Sequence, residues 1–403
     1  MPHNDKIMQQ TRPYLRPGKR MLAGLIARTR GRSRPRLLAL AAAGALAITA
    51  ATTLAPGGPA ALASVAANPD PAITVADGNS VIAVQTSEDG LRFYWNQYGT
   101  NNWYGEQVAA NGTTFSQPAI AQVGNTVVIA VEGVYNSLDL YWQTIGGSGW
   151  HGETVATIRT TYSAPSLVQN GNTTIIAAQG PSNSLDFYWG FNGTTNWYPE
   201  VVAGAGTTFS APSIAANTAG NGVNIVAEGP SNSLDFYWAI NGTATWYPEV
   251  VAAAGSIDSA PAIVAQNDGV NIVARNMSLG STFWWAFNGS PTWTASTVFG
   301  GDLSGPSIVA YPGNPGGVHV VARGLLGDGP GVSTDVNGSG TWTWTALYNN
   351  GPTAPIAEGV PAITMNNGSE NIAFEDTQGD LLFYWEDSSG NFHGETVDTA
   401  ANL

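Results

Sequence analysis

The chain has 403 residues with 28 acidic against 14 basic side chains and no cysteine, so disulfides, thiolate metal sites and cysteine nucleophiles are excluded together. Its net charge of −14 conceals two opposite segments: ten of the fourteen basic residues precede residue 64, and from Ser64 onward 27 acidic residues face four arginines and no lysine, a charge of −23. Nucleic acid and anionic membrane surfaces, which are held mainly through lysine and arginine, are thereby excluded as partners of the second segment.

Residues 1–63 read as an export signal with a long basic stretch, Lys6 to Arg36, followed by the apolar run Leu37 to Leu54 and by Ala61-Leu62-Ala63, which fits a small-residue cleavage rule. Cleavage after Ala63 is expected, because the run is mostly alanine and threonine and is poor for stable membrane insertion. No adjacent arginine pair is present among Arg30, Arg32, Arg34 and Arg36, which favours the general secretory route and a secreted protein with no membrane insertion after cleavage.

Residues 64–403 are periodic. A proline, a small residue and an aliphatic one recur at Pro71, Pro118, Pro165, Pro212, Pro261, Pro306 and Pro361, at spacings of 47, 47, 47, 49, 45 and 55. Each unit holds four short apolar runs separated by Gly, Asn, Ser and Asp; in the third these are PSLV from Pro165, TTIIAA from Thr173, SLDFYW from Ser184 and WYPEVV from Trp197. Runs of four to six residues rich in β-branched and aromatic types are strands and too short for helices. The fold predicted is all-β, a seven-bladed β-propeller with four antiparallel strands per blade. Alternation along SLDFYW sends Leu185, Phe187 and Trp189 to one neighbouring blade and Asp186 and Tyr188 to the other. The ring is expected to close between the last and first units, with residues 64–70 available to add a strand beside the last repeat.

The repeats are unequal. Units one to four and unit seven end the third strand in Tyr-Trp, with tryptophans Trp95, Trp142, Trp189, Trp238 and Trp385, and carry aromatic-x-x-Glu in the fourth. Unit five has Ser296 at the glutamate position; unit six lacks the aromatic pair and, aligned on Trp344, places Leu347 there. Aligned so, Trp103, Trp150, Trp197, Trp246, Trp293 and Trp344 are expected in the core between blades, because a large apolar side chain at a fixed place in each blade is what stacks one sheet on the next.

A pyranose offers an apolar C–H face and a rim of hydroxyls, so a sugar site needs an aromatic ring and carboxylate or amide groups. The repeated residues of that kind are the third-strand tryptophans, the glutamates Glu106, Glu153, Glu200, Glu249 and Glu395, and the side chains two before them, Tyr104, His151, Tyr198, Tyr247 and His393. Asp139, Asp186 and Asp235 are weaker candidates. Catalysis ordinarily uses one asymmetric site, whereas these residues are copied five times, so no catalytic residue is assigned. His151, His319 and His393 lack metal-ligand spacing and no calcium loop pattern appears, so neither metal nor cofactor is expected.

The Ser-x-Pro opening, Asn-x-Leu-x-x-x-Trp and Trp-x-x-Glu at about 48 residues, running from Pro71 to the end, resemble the seven-bladed β-propeller lectins first described from insect-pathogenic bacteria and, more distantly, the six-bladed fucose-binding fungal lectins. The resemblance implies several sugar sites per ring, in clefts between adjacent blades, for glycans bearing fucose or methylated sugars. It departs from that family in placing Tyr where a basic residue or His usually stands beside the third-strand Trp, and units five and six are expected to lose the clefts they border. The other readings are a protein-interaction scaffold and a glycoside-processing enzyme. For a lectin, Glu200 and Tyr198 should line a water-accessible cleft; for a scaffold, both should be buried and paired.

Overall fold

The computed structural model describes residues 70–403 except 97–101, 218–221, 267–268, 303, 312–316, 325–329, 336–338, 348–354 and 401. The leader and its cleavage site therefore lie outside the described residues. Seven four-stranded antiparallel sheets follow one another, each built from consecutive strands. In the third, Ser166–Asn170, Thr173–Gln179, Leu185–Phe191 and Trp197–Ala203 pair in order, in agreement with the four runs of that repeat. The second and third strands join through Ser182 (φ 57°) and Asn183 (φ 60°), both in the left-handed region that primed hairpin turns require.

The first strand of every blade touches the first strands of both neighbours, Ala72–Ala76 of blade one meeting Ala357–Asn366 of blade seven, so first strands form the inner wall and the ring is closed. The opening serine of five repeats fixes each turn into the ring. The Oγ atoms of Ser116, Ser163, Ser210, Ser259 and Ser304 accept the backbone N–H of Glu132, Gln179, Glu228, Arg275 and Arg323, the last residue of each second strand, at 3.0 to 3.2 Å.

Because side chains alternate, each sheet is apolar on both faces, and a separate buried cluster lies at each of the seven blade interfaces. Between blades three and four, Leu185, Phe187 and Trp189 pack with Ile225, Tyr237 and Trp246. Tyr188, on the other face of the same strand, packs with Leu140 and Leu138 of blade two. The alternation read from SLDFYW is the one observed.

One expectation is corrected, and another falls outside the described residues. Among the described residues all four strands of each blade come from one stretch of chain, and residues 64–69, which could add a strand beside the last repeat, are not among those described. Blades one and seven are tied by polar contacts: Ser87 N–H donates to the Leu403 carbonyl (2.8 Å), Tyr94 Oη–H to Asp398 Oδ2 (2.8 Å), and Val360 N–H to Asp70 Oδ1 (2.6 Å). In blade six, the residue packed edge-on against Phe283 of blade five is Trp342, while Trp344 is 38% exposed and lies over Gly331. Trp342 and Trp344 are two apart on one strand and face the same way, so composition alone does not choose between them. The pairing Val332↔Thr345 then puts Thr345, not Leu347, opposite the residue equivalent to Phe187, and Leu347 is buried core. Among the described residues no helix is long and apolar enough to cross a membrane.

Candidate functional site

The third and fourth strands of a blade pair so that Phe187 lies opposite Glu200 and Trp189 opposite Tyr198, all four on the face turned to the next blade. The same register holds for Phe93, Glu106, Trp95 and Tyr104, for Leu140, Glu153, Trp142 and His151, for Phe236, Glu249, Trp238 and Tyr247, and for Phe383, Glu395, Trp385 and His393. Every predicted site residue therefore sits on an interblade face.

The glutamates act as ties between blades. Trp150 Nε1–H donates to Glu106 (2.8 Å), Trp197 to Glu153 (3.0 Å), Trp246 to Glu200 (3.1 Å), Trp293 to Glu249 (3.2 Å) and Trp103 to Glu395 (2.7 Å), each time from the blade that follows. Glu200 and Glu249 also accept the indole N–H of their own third-strand tryptophans, Trp189 and Trp238, both at 3.0 Å, so each bridges two indoles. Burial pushes Glu395 above the usual carboxylate range and the Trp103 hydrogen bond partly offsets this. Blade five keeps a weaker form of the tie, Trp342 Nε1–H to Ser296 Oγ at 3.1 Å. At the next interface Thr345 and Phe392 line one cleft, and the Phe392 side chain has no N–H to give. The glutamate is absent at two interfaces, at one with its donor Trp342 kept and at the other with the donor gone as well.

The side chains two before the glutamates stack on the third-strand tryptophans: His151 on Trp142 (4.2 Å between centroids), Tyr198 on Trp189 and Tyr247 on Trp238 (both 4.3 Å), and more loosely His393 on Trp385 (5.5 Å) and Tyr104 on Trp95 (5.8 Å). Tyr198 is 45% exposed, whereas Glu200 is half-buried and paired. The contrast set for these two residues thus resolves unequally. His393 also contacts Asp387 at 2.8 Å, which together with the N–H groups of Asn391 and Ser389 holds that carboxyl well below its usual range. Asp139, Asp186 and Asp235, each the second residue of a third strand, accept the hydroxyl two residues before them, from Ser137, Ser184 and Ser233, and so brace the entry to that strand.

Clefts open beside these ties. That between blades three and four, about 660 Å³, is lined by Trp189, Glu200 and Trp246 with Phe191, Ile240 and the Asn241-Gly242-Thr243 turn. Between blades four and five, Trp238, Glu249, Trp293, Ile240, Phe287 and the Asn288-Gly289-Ser290 turn enclose about 240 Å³; between two and three, Trp142, Glu153, Trp197, Phe191 and Asn192-Gly193-Thr194 enclose about 120 Å³. The first falls within the roughly 300–1,000 Å³ usual for small-molecule pockets. The cleft beside blade five persists, against expectation, because its glutamate comes from blade four and Trp293 is retained.

Sequence reasoning missed two of the lining elements: the Asn-Gly-Thr/Ser turns after the third strands, and the residues just before them. Phe191, Ile240 and Phe287, two places beyond each third-strand Trp, are 48, 51 and 63% exposed at the cleft mouths. The repeated stretches FNGT, INGT and FNGS were the available signal. The stacked residues Tyr198, Tyr247 and His151 do not line these three clefts. Among the described residues no three His, Asp or Glu side chains are grouped to hold a metal ion.

These features define a seven-bladed propeller with a cleft of one design repeated between its blades. Its fold is that of known lectin propellers: a lectin of Burkholderia pseudomallei superposes with a TM-score of 0.70 at 18% identity, covering 82% of this chain and 99% of that one. The Aleuria aurantia lectin in complex with Fucα1-6GlcNAc superposes at 0.51 and 13% identity, covering 83% and 96%. A prolyl endopeptidase structure reaches 0.51 at 12% identity, covering 82% of this chain and half of that one. No protein-family model and no curated protein matches the chain in sequence.

Proposed function

We propose that the protein is a secreted, non-catalytic carbohydrate-binding propeller with several sugar sites in the clefts between blades. The observation that carries this reading is the threefold repetition, at blades two to five, of a cleft combining indole edges, an exposed apolar side chain and an Asn-Gly-Thr/Ser turn. An apolar sugar face meets Phe191, Ile240 or Phe287, and the amide and hydroxyl of the neighbouring turn meet the hydroxyl rim. The cleft between blades three and four is the principal site by volume. The structural neighbour solved with a fucosylated disaccharide supports fucosylated glycans as the first class to test, with methylated sugars beside them. Several modest sites on one ring give avidity on a glycan-coated surface.

Glycoside hydrolysis uses two carboxyl groups flanking the scissile bond. Each of these three clefts is lined by a single glutamate, already held by one or two indole N–H groups, which argues against that chemistry. The second reading, a protein-interaction scaffold, is favoured by that same engagement of the glutamates.

The test is a glycan array probed with the protein and with a Phe191→Ala/Ile240→Ala variant, which removes exposed apolar surface and leaves every interblade tie in place. Array binding to a defined sugar class, weakened at least about tenfold in the variant with unchanged thermal stability, is the expected result. Absence of binding across the array would transfer the clefts to the scaffold reading.

A further inference from the structure

The interface between blades six and seven carries a cleft of different chemistry. Its cavity, about 310 Å³, is lined by Tyr311, His319, Asp335, Glu370, Glu386 and Phe392 together with threonines, and by no lysine or arginine among the described residues. The register shows how the change arose. Glu370 stands where blades four and five have Val223 and Val270, and Glu386 where blades three to five have Gly190, Ala239 and Ala286. His319 stands opposite Thr334, at the place where Ile175 stands opposite Trp189. Apolar and indole surface has been exchanged for carboxylates and one imidazole.

The three acids are not equally engaged. Asp335 is buried and its oxygens are taken by Ser339 and Gly340, so it caps a turn. Glu370 is 2% exposed; one oxygen contacts His319 Nδ1, and the other is buried with no hydrogen-bond partner. Native proteins seldom leave a buried carboxylate oxygen without a donor. Glu386 borders the same space, and burial and the Glu370 charge push its carboxyl above the usual range. Tyr311 stacks on His319 (4.8 Å, 6° between planes) and Phe392 closes the opposite side. The site thus presents an unfilled acceptor, a second carboxylate and flanking rings, which is what a ligand bearing a donor-rich cation needs.

We propose that the cleft between blades six and seven binds the protonated amine of an amino sugar, with Glu370 and Glu386 receiving the ammonium group and the ring of the sugar lying between Tyr311 and Phe392. The sugar part rests on the reading of the clefts as carbohydrate sites; the amine part rests on this interface alone. The ring would thereby hold two classes of site, neutral sugars between blades two and five and a cationic sugar at the opposite side of the sequence.

The experiment is calorimetric titration of the full chain with glucosamine at a pH where its amine is protonated, beside N-acetylglucosamine, which has the same ring without the charge, and ethanolamine, which has the charge without the ring. Glucosamine should bind at least about tenfold tighter than either, and Glu386→Gln should abolish that advantage while leaving the unfolding transition in place. Equal affinity for glucosamine and N-acetylglucosamine, equal affinity for ethanolamine, or an advantage that survives Glu386→Gln would each overturn the proposal. The Phe191→Ala/Ile240→Ala variant separates the two readings: it should lose neutral-sugar binding and keep glucosamine, so either can fail without the other.

Discussion

The joint between blades three and four and the joint between blades six and seven occupy equivalent places in the ring and are held in different ways. In the first, Glu200 accepts two indole N–H groups and Phe187 packs edge-on against Trp246 at 5.1 Å. In the second, Thr345 and Phe392 leave no such bond, and the joint rests on apolar packing of Val332, Leu347, Ile372 and Phe374 and on the contact of His319 with Glu370. The comparison teaches that the carboxylate and its donor go together at five joints: each of the five glutamates accepts an N–H from the tryptophan of the following blade, a serine accepts it from Trp342 at one joint, and the acid is absent where the Phe392 side chain offers no N–H.

Breaking the stronger joint should have the largest effect. Glu200→Ala leaves two half-buried indole N–H groups without an acceptor and should lower unfolding free energy by about 2–4 kcal/mol, read by chemical denaturation, with Glu200→Gln losing less.

The joint between blades seven and one adds buried acids to its Trp103–Glu395 tie. Burial, reinforced by the charges of Asp70, Glu358 and Asp376, pushes Glu375 up to about 8, and burial raises Asp70 to about 6. Both folded-state values lie above those of the unfolded chain, so the stability they confer is fully present below about pH 4 and is lost as pH rises through 6 and then 8. The contribution should fall by on the order of 2 kcal/mol between pH 4.5 and 8.5, and a Glu375→Gln variant, compared across that window by thermal denaturation, should show a flatter profile.

The weaker joint also allows a constructive test. Thr345→Glu together with Phe392→Trp should install the missing bond, and a double-mutant cycle should return a favourable coupling of about 1 kcal/mol that neither single change shows. A coupling near zero would mean that the ties follow blade geometry and not the donor.

Much of this architecture was legible in the sequence. Seven prolines at near-constant spacing and four runs per repeat fix the blades, since a period of that length with strand-length runs has few other solutions. The alternation in SLDFYW also assigned each side chain to the correct neighbour. The role of the glutamates was not legible, because a hydrogen bond from Trp246 to Glu200 spans 46 residues and depends on which faces meet across an interface. For the same reason Trp344 was indistinguishable from Trp342, two tryptophans on one side of one strand, until Phe283 of the preceding blade selected one. The cleft turns were missed because Asn-Gly reads first as punctuation between strands.

The interblade bond has a direction. Each of blades one to four offers an indole N–H backward and a carboxylate forward, so a single repeat of that kind carries one half of two different joints. A tandem copy of residues 165–211 would arrive with both halves in place and mate with its own template on either side. Such a unit can be duplicated in frame without any compensating change at its borders, and it becomes specialised only when one half drifts. Blade number in a ring of this kind is therefore open to change by duplication of such a unit, whereas the interface of Thr345 and Phe392 holds neither half of the bond and would not accept one in the same way.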